Sequence, residues 1–427
     1  MSPRRLLRLW LARMPDKLRD RARSSYFYAR DALRILIRLL DLYATTLPFR
    51  YLPRASRRIA VLRADNIGDF VLWLDGARAI RRGYPKGQYH LTLVAAQKWK
   101  AFAESSGQFD DIIAVDPKRF DNEAGYRRKL CLQLASRRFK IAINPTYSRS
   151  AWVDDLLVKA TGASTSIGHL GDLANQPSPW VKRLTDRWYT DLTATAASVT
   201  HEIEKNWMFS KKFDPAMMLR VPVLEQGMVR RPAWFEDRGD YIVIFIGAES
   251  PIRRWPAERF GEIARRLHAK VGWSAIVCGL ESDSDMAQQI VAQYPDIPVL
   301  NACGQTTLHE LAYIIAGARL VVTNDTSAAH LAAALKRKAV VVLGGGQFGR
   351  FLPYPIIGNE LPNVRAIYHS MPCFQCKWIC IHPRGPNDPG PCVAQVSIDD
   401  VWASIVLVLA ATTTGQTGSD CTASVAD

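Results

Sequence analysis

At 427 residues the chain is too long for one ordinary core, and a composition of 48% hydrophobic and 22% charged residues excludes wholesale disorder. The net charge of +16 first suggests an anionic partner. However, residues 1–58 hold 15 lysines and arginines against 4 acidic residues, so this segment alone carries 11 of the 16 charges. The remainder is only mildly basic and shows no recognisable nucleic-acid reading module, so we expect no nucleic-acid partner.

Residues 1–56 predict a basic, amphipathic helical arm. Its polar residues Asp31, Arg34, Arg38 and Asp41 recur every three or four positions, and leucines and isoleucines fill the remaining arc. Such a helix suits the surface of an anionic bilayer. The alternative is a helix that packs on the protein body and keeps its arginine heads in water. The arm contains neither a spanning apolar run nor a signal cleavage site, so we expect a cytoplasmic protein, peripheral on the inner face of the cell membrane.

Residues 57–222 alternate short apolar runs with helical segments, which is typical of a parallel sheet covered on both faces. The predicted strands are residues 58–63, 90–94, 112–115 and 140–144. A turn at residues 66–69 leads into a helix at 70–82. The turn lacks the G-x-G-x-x-G pattern, which counts against a nicotinamide or flavin dinucleotide site. It does carry a carboxylate, Asp69, at a helix start, where aspartate often serves only as a cap.

Residues 223–239 predict an interdomain linker, and residues 240–412 predict a second alternating α/β domain. Its predicted strands are residues 241–246, 274–277, 299–301, 320–323 and 340–343, and its predicted helices are 256–270, 284–293, 307–316 and 328–335. Two doubly wound domains would bind ligands at the carboxyl ends of their strands, in a central cleft. The small polar residues 413–427 predict a disordered tail.

Two loops of the second domain carry candidate anion-binding groups. Gly247 begins a loop that holds Arg253 and Arg254, and two guanidinium groups suit a phosphate-bearing ligand, although exposed arginine pairs are common on surfaces. Thr326 and Ser327 stand between an apolar strand and a helix, so their hydroxyls and the free backbone N–H groups form an anion site.

His330 follows one turn after these hydroxyls and could reach the same anion. An isolated histidine would more often be a structural group.

Three ordered segments then resemble one family: RIAVLRADNIGDFVLWLDGARAIRRGYP, IGAESPIRRWPAERFGEIARRL and GQTTLHELAYIIAGARLVVTNDTSAAHLAAAL. Together they make the chain similar, over about residues 58–405, to the heptosyltransferase family (glycosyltransferase family 9). This family adds sugars to bacterial lipopolysaccharide cores and related glycans. The resemblance implies a GT-B fold, with an acceptor domain at 57–222, a donor domain at 240–412 and no obligatory divalent metal.

The resemblance also implies roles for individual residues. Asp69 matches the catalytic base that takes the proton of the acceptor hydroxyl, and Glu281 loosely matches a carboxylate on the nucleotide ribose. Arg254 matches a position that contacts the donor's phosphates, and Asp325, Thr326 and His330 match the donor-binding D-T-G-x-x-H element. From their places in the same loops we expect Arg253 and Ser327 to bind the donor's phosphates as well, with Thr326 and His330, and Gly247 to bind elsewhere on the donor with Asp325.

The chain departs from the family pattern at two places. Ser327 stands where glycine is common, which would be costly if the position needed a positive φ. Residues 344–346 are three glycines in place of the usual G-P-T, which leaves the donor sugar open.

Four cysteines lie close together within residues 373–392: Cys373, Cys376, Cys380 and Cys392. Four thiols could hold a structural zinc or iron ion. Their spacing departs from common zinc ribbons and ferredoxins, and reduced packing cysteines are the alternative.

These observations lead to one hypothesis with two alternatives. The hypothesis is an inverting glycosyltransferase that moves heptose from an ADP-linked donor to a lipopolysaccharide-core or related glycan acceptor, with the arm on an anionic membrane. One alternative keeps the fold but uses another sugar nucleotide or a protein acceptor. The other is a metal-containing protein that binds a glycan or a partner without turnover.

Overall fold

The computed structural model describes residues 16–355 and 363–410. The predictions for the first 15 residues of the arm and for the tail lie outside the described residues. Within the described ranges no helix combines the length and the apolar character needed to cross a membrane.

Twelve strands are found in the described residues: β1 Ala55–Arg63, β2 His90–Ala96, β3 Asp111–Val115, β4 Phe139–Asn144, β5 Thr165–His169, β6 Asp191–Thr193, β7 Tyr241–Phe245, β8 Ser274–Cys278, β9 Val299–Asn301, β10 Leu320–Asn324, β11 Ala339–Val342 and β12 Val364–Ile367. The α-helices between and around them are α1 Asp16–Arg50, α2 Ile67–Gly83, α3 Lys100–Glu104, α4 Pro117–Asn122, α5 Ala124–Ser136, α6 Leu156–Thr161, α7 Pro179–Asp186, α8 Glu202–Ser210, α9 Ala257–Val271, α10 Ser284–Gln293, α11 Leu308–Gly317, α12 Ser327–Ala334, α13 Pro391–Ala394 and α14 Ile398–Ala410.

The strands form two six-stranded parallel sheets of the same topology. Their orders are β3-β2-β1-β4-β5-β6 and β12-β11-β10-β7-β8-β9. In each sheet the chain reverses its direction of travel between the first strand and the fourth, which in the second sheet are β7 and β10. Loops at the carboxyl ends of these two strands diverge and leave room for a ligand. The prediction of two doubly wound sheets is therefore confirmed, although β5, β6 and β12 had not been predicted.

The chain divides into two compact units. The first comprises Met1–Asp65, Tyr84–Gln97 and Phe109–Thr195 and contains the first sheet. The second comprises Asn66–Gly83, Lys98–Gln108 and Ala196–Asp427. Helices α2 and α3 thus belong to the unit that contains the second sheet, although they follow strands of the first. The predicted domain boundaries at residues 57, 223, 240 and 413 stay predictions.

The second sheet is buried on both faces, as parallel sheets require. Ile244, Val322 and Val342, from three neighbouring strands, have no measurable exposure. Trp255 lies in the same apolar core, and its indole Nε1 donates to the carbonyl of Val396, 2.9 Å away. The loop that carries the two arginines is therefore anchored in the core by the residue that follows them.

Helix α1 packs on the first unit through a polar face. Arg38 is buried and donates to the backbone carbonyls of Phe120 and Asp121, and its guanidinium also lies 3.0 Å from the Asp121 carboxylate. Ile35 and Leu42 of the same helix are buried against the unit as well. The alternative of a helix packed on the body is thus right about the packing, but the head of Arg38 is not in water.

The opposite face of α1 is apolar and exposed. The leucine/isoleucine stripe consists of Leu33, Leu36, Ile37, Leu40 and Leu47, each at least half exposed. Their spacing of three, four and seven residues puts them on one side of the helix. This helix therefore buries the arginine of the Arg38–Asp121 ion pair and leaves the leucine/isoleucine stripe exposed.

Helix α2 is held against α8 by a close approach at Gly76. A Cβ added there would lie 2.4 Å from Nε1 of Trp73 and 2.8 Å from Oγ of Ser210, and Trp73 is fully buried. Such a contact requires buried neighbours to shift.

The steric cost of Gly76→Ala should be about 1–3 kcal/mol, so we expect the free energy of unfolding, measured by urea denaturation, to fall by up to about 2 kcal/mol. This cost opposes the gain of roughly 1 kcal/mol that alanine brings to a helix interior. The matched control is Gly125→Ala in α5, where an added Cβ meets no heavy atom within 4 Å and only the helix gain remains. A Gly76→Ala protein as stable as its parent would contradict the packing.

Candidate active site

The side chain of Asn324 joins three segments at the carboxyl edge of the second sheet. It ends β10, is fully buried, and donates from Nδ2 to the carbonyl of Ile246, 2.7 Å away, just beyond β7. Its Oδ1 accepts from the backbone N–H of Trp255 at 2.8 Å. One amide thus fixes the spacing between the two diverging loops. Asn324 was not among the predicted site residues, and its place after an apolar strand was the available signal.

Thr326 and Ser327 start α12 as predicted. Thr326 is the N-cap, and its hydroxyl accepts from the backbone N–H of Ala328 at 3.3 Å and lies 3.1 Å from the Thr323 hydroxyl. Ser327 is the first helical residue and has no positive φ, so serine carries no backbone penalty in place of the family's glycine. Both residues are half-buried, with their N–H groups at the positive end of the helix.

Arg253 is held over this helix start by a carboxylate and an indole. Its guanidinium donates to the backbone carbonyl of Asp325, lies 3.3 Å from the Asp325 carboxylate, and lies 5.3 Å from the centre of the Trp378 ring. Burial raises the pKa of Asp325, and the charge of Arg253 opposes that rise. Arg253 Nε is buried and makes no hydrogen bond to any described residue.

Arg254 points to a different set of partners. Its Nε and Nη2 donate to the carbonyl of Ala248 at 3.1 and 2.9 Å, and Nη2 lies 3.7 Å from the buried carboxylate of Asp283. Gly247 is required beside it, because a Cβ there would lie 2.2 Å from Asp283 Oδ2. Arg253 is thus aligned by a carboxylate, whereas Arg254 is aligned by the carbonyl of Ala248 with the carboxylate of Asp283 nearby.

The carboxylate near Arg254 is Asp283 and not Glu281. Glu281 is exposed in the 3₁₀ turn that precedes α10, and it has no contact with Arg254 in the described part of the chain. Its predicted ribose contact stays a prediction. Asp283 was missed by the sequence analysis because only folding buries it.

His330 is buried beside the same helix start and is neutral at pH 7. Burial, followed by the proximity of His201 and Arg253, lowers the pKa of His330 to about 3. Its Nδ1 lies 2.7 Å from the hydroxyl of Tyr354. Burial likewise lowers the pKa of His201, the N-cap of α8, to about 4. A neutral imidazole retains one N–H donor for a ligand.

Asp69 lies in the first turn of α2, half-buried, and belongs to the same compact unit as the groups above. The neighbouring Gly68 packs on α12: a Cβ on Gly68 would lie 3.0 Å from Cδ2 of His330 and 3.8 Å from the Cα of Ser327. The candidate base therefore stands next in sequence to a residue in contact with the candidate phosphate site.

Similarity to known proteins identifies the family of this chain. The family model described as glycosyltransferase family 9 (heptosyltransferase) matches residues 127–380, more than half of the chain. The chain belongs to glycosyltransferase family 9.

Individual relatives agree with this family. The chain is 35% identical to lipooligosaccharide heptosyltransferase 2 of Haemophilus ducreyi over 25% of this chain and 32% of that protein, so it spans about a third of that relative's length. Its structure resembles a family 9 glycosyltransferase of Veillonella parvula, with a TM-score of 0.63 and 19% identity over 85% of this chain and 100% of the other. It also resembles E. coli ADP-heptose lps heptosyltransferase II, with a TM-score of 0.59 and 18% identity over 83% and 99% of the two chains. The predicted GT-B fold is confirmed.

The glycines at residues 344–346, which depart from the family 9 pattern, pack against aromatic rings of the cysteine-rich segment. Cβ atoms on Gly344 and Gly346 would lie 2.7 and 2.2 Å from ring atoms of Trp378, and one on Gly345 would lie 2.2 Å from the ring of Phe374. Any residue other than glycine would place its Cβ too close to these rings. Because Trp378 also covers Arg253, the segment reaches the candidate phosphate site.

The cysteines themselves do not form a metal-ligand set as they are placed. Cys373 Sγ lies 3.5 Å from Nε2 of His382, a neighbour that the sequence analysis missed, and Cys392 Sγ accepts from the backbone N–H of Gly345 at 3.4 Å. In residues 16–355 and 363–410 no group of three or more histidine, cysteine and acidic side chains is arranged to hold a metal ion. The predicted zinc or iron site at Cys373, Cys376, Cys380 and Cys392 stays a prediction.

The neutral histidines predict how stability depends on pH. Between pH 6.5 and about 4 the unfolded chain binds protons at His201 and His330 that the folded protein does not bind, so the free energy of unfolding falls as the pH falls through this window. Each histidine contributes a slope of up to about 1.4 kcal/mol per pH unit.

His201→Asn should therefore make the slope shallower by up to that amount, measured by urea denaturation at a series of pH values. Above about pH 7.5 both states hold His201 neutral, so parent and variant should there show the same slope. Parallel curves below pH 6 would show that His201 is not buried in its neutral form.

Proposed function

We propose that this protein is an inverting glycosyltransferase that moves heptose from an ADP-linked donor to a hydroxyl of a lipopolysaccharide-core or related glycan acceptor. One observation carries the proposal. A helix start, two oriented arginines and a neutral histidine lie in the same compact unit as helix α2, whose first turn carries Asp69.

The donor side supplies fixed positive groups for a leaving diphosphate. The N–H groups at the start of α12 and the guanidinium groups of Arg253 and Arg254 are hydrogen-bond donors that are already oriented before the ligand arrives. Donors held in place stabilise charge that develops in the transition state without reorganisation. Such groups can replace a metal ion at a diphosphate.

Asp69 would act as the base on the acceptor side. As the acceptor oxygen forms its bond to the anomeric carbon, its proton passes to the Asp69 carboxylate. The bond from the anomeric carbon to the diphosphate breaks in the same step, and the electron pair leaves with the diphosphate. A single displacement of this kind inverts the anomeric centre, and one positioned base suffices for it.

The identity of the sugar and nucleotide rests on similarity. The family model is described as heptosyltransferase, and a structure of the same fold is named an ADP-heptose enzyme. Another sugar nucleotide or a protein acceptor would use the same groups. A protein that binds a glycan or a partner without turnover would not need the base.

We expect Asp69→Asn to lower the rate of sugar transfer by about 10²–10⁴-fold, because the acceptor proton loses its base. Calorimetric binding of ADP, which we expect to exceed that of UDP and GDP, should be unchanged. The matched control is Asp399→Asn: Asp399 also lies in the first turn of a helix, α14, and it pairs with Arg266 at 2.6 Å. It should transfer sugar at the parental rate.

Two outcomes would contradict the proposed catalytic role. Full transfer by Asp69→Asn would leave Asp69 as a helix cap only. Binding of a nucleoside diphosphate by the parent protein without transfer from any sugar nucleotide would favour the non-catalytic reading.

We further propose that α1 docks on the anionic inner face of the cell membrane and brings the enzyme to a lipid-linked acceptor. The leucine/isoleucine stripe offers exposed apolar area, and residues 1–30 carry nine lysines and arginines against two aspartates. Apolar insertion together with attraction to anionic lipid is the usual combination in interfacial helices. The ion pairs on the other face anchor α1 to the first unit.

Replacing Leu36 and Leu40 together by serine should weaken binding to phosphatidylglycerol-containing vesicles by about tenfold or more, because two leucines no longer enter the lipid. The matched control replaces Leu132 and Leu173, which are 44% and 49% exposed and lie outside α1. Vesicle sedimentation measures both. Unchanged binding of the α1 variant would show that the stripe faces something other than lipid.

A further inference from the structure

The proton positions of His330 follow from its neighbour Tyr354. Both side chains are more than nine-tenths buried, and the phenol oxygen lies 2.7 Å from Nδ1 of the imidazole. A buried phenol O–H needs an acceptor, and among the described residues Nδ1 is the acceptor within reach. Tyr354 therefore donates to Nδ1, and in a neutral imidazole the proton then resides on Nε2.

The Nε2 edge of His330 faces the two helix starts. The point where a Cβ of Gly68 would lie is 3.0 Å from Cδ2 of His330, 3.7 Å from Nε2 and 3.8 Å from the Cα of Ser327. Nε2 makes no hydrogen bond to any residue of the described ranges. The absence of a side chain at Gly68 thus leaves space in front of an N–H donor, between the start of α2 and the start of α12.

Tyr354 is itself held by the start of α8. His201 Nε2 donates to the carbonyl of Phe351 at 2.9 Å, and its ring lies 5.6 Å from that of Tyr354. Next to it, the backbone N–H of Glu202 donates to the carbonyl of Arg350 at 2.8 Å, and the two side chains lie 3.2 Å apart. The segment that precedes Tyr354 is therefore held by both backbone and side-chain contacts.

We propose that Tyr354 is a positioning residue that holds His330 in the Nε2–H tautomer, so that Nε2–H donates to a diphosphate oxygen of the donor. The inference rests on the proposed function, because it assigns the ligand of that site. A diphosphate oxygen accepts but cannot donate, so the opposite tautomer would present a lone pair to an anion and repel it.

The test uses Tyr354→Phe, which removes the hydroxyl and keeps the ring. Without the phenol proton both ring nitrogens can carry the hydrogen, so only the fraction of the protein with a protonated Nε2 is ready to bind, and we expect ADP to bind about two- to threefold more weakly. The matched control is Tyr241→Phe, which deletes a phenol that donates to the carbonyl of Ile314, 2.9 Å away, in the same unit. That variant should bind ADP as the parent does.

Nitrogen-15 NMR of the His330 ring shows which ring nitrogen carries the proton. A merely structural role of Tyr354 would not change this tautomer. The parent should show a protonated Nε2 and an unprotonated Nδ1, with the Nε2 signal displaced by ADP. The Tyr354→Phe protein should show a mixture. Because the parent spectrum alone reports the tautomer, the inference remains testable if the variant does not fold.

A double-mutant cycle completes the test. In a His330→Gln background, adding Tyr354→Phe should not weaken ADP binding further, since the imidazole is already gone. An additive loss, or a protonated Nδ1 in the parent, would overturn the role of Tyr354. If the parent shows the expected tautomer but binds none of ADP, UDP and GDP, the proposed function fails while the hydrogen bond stands.

Discussion

The buried amide of Asn324 is the interaction on which the candidate site depends. The parallel topology makes β7 and β10 neighbours, but it does not by itself control the loops that follow them. The Nδ2 of Asn324 donates to the loop after β7, and its Oδ1 accepts from the backbone N–H of Trp255. Since Trp255 is buried in the core, it fixes the position of the two arginines just before it, next to the start of α12. An apolar residue in place of Asn324 would leave a buried carbonyl and a buried N–H without partners, which is costly.

The electrostatics of the site follow one pattern: each arginine has a buried carboxylate within 4 Å, and the histidine stays neutral. Arg253 lies against Asp325, and Arg254 lies near Asp283. These contacts, together with the hydrogen bonds to backbone carbonyls, orient the guanidinium groups before an anion binds. Burial keeps His330 uncharged, so it can offer one directed N–H without the desolvation cost of another buried cation.

The departures from the family 9 pattern also have structural reasons. Ser327 sits in ordinary helical backbone, where glycine has no special advantage. The glycines at residues 344–346 make room for the aromatic rings of the cysteine-rich segment, and one of those rings covers Arg253. In α1 the polar residues that a surface helix would expose are the ones that bind the body, which frees the apolar stripe.

Much of the fold and part of the site could be read from local patterns. The alternation of apolar strands and helices determined the two parallel sheets, because strand period and helix period are properties of neighbouring residues. The same holds for the pair Arg253 and Arg254 and for the spacing from Thr326 to His330, which one turn of helix brings together. Only the tertiary structure decided the roles of Asn324, Asp283 and Tyr354, because their partners are separated from them along the chain and come into contact through packing. Which face of α1 is hidden was decided in the same way: the period of a helix defines two faces, but the surface it packs against chooses between them.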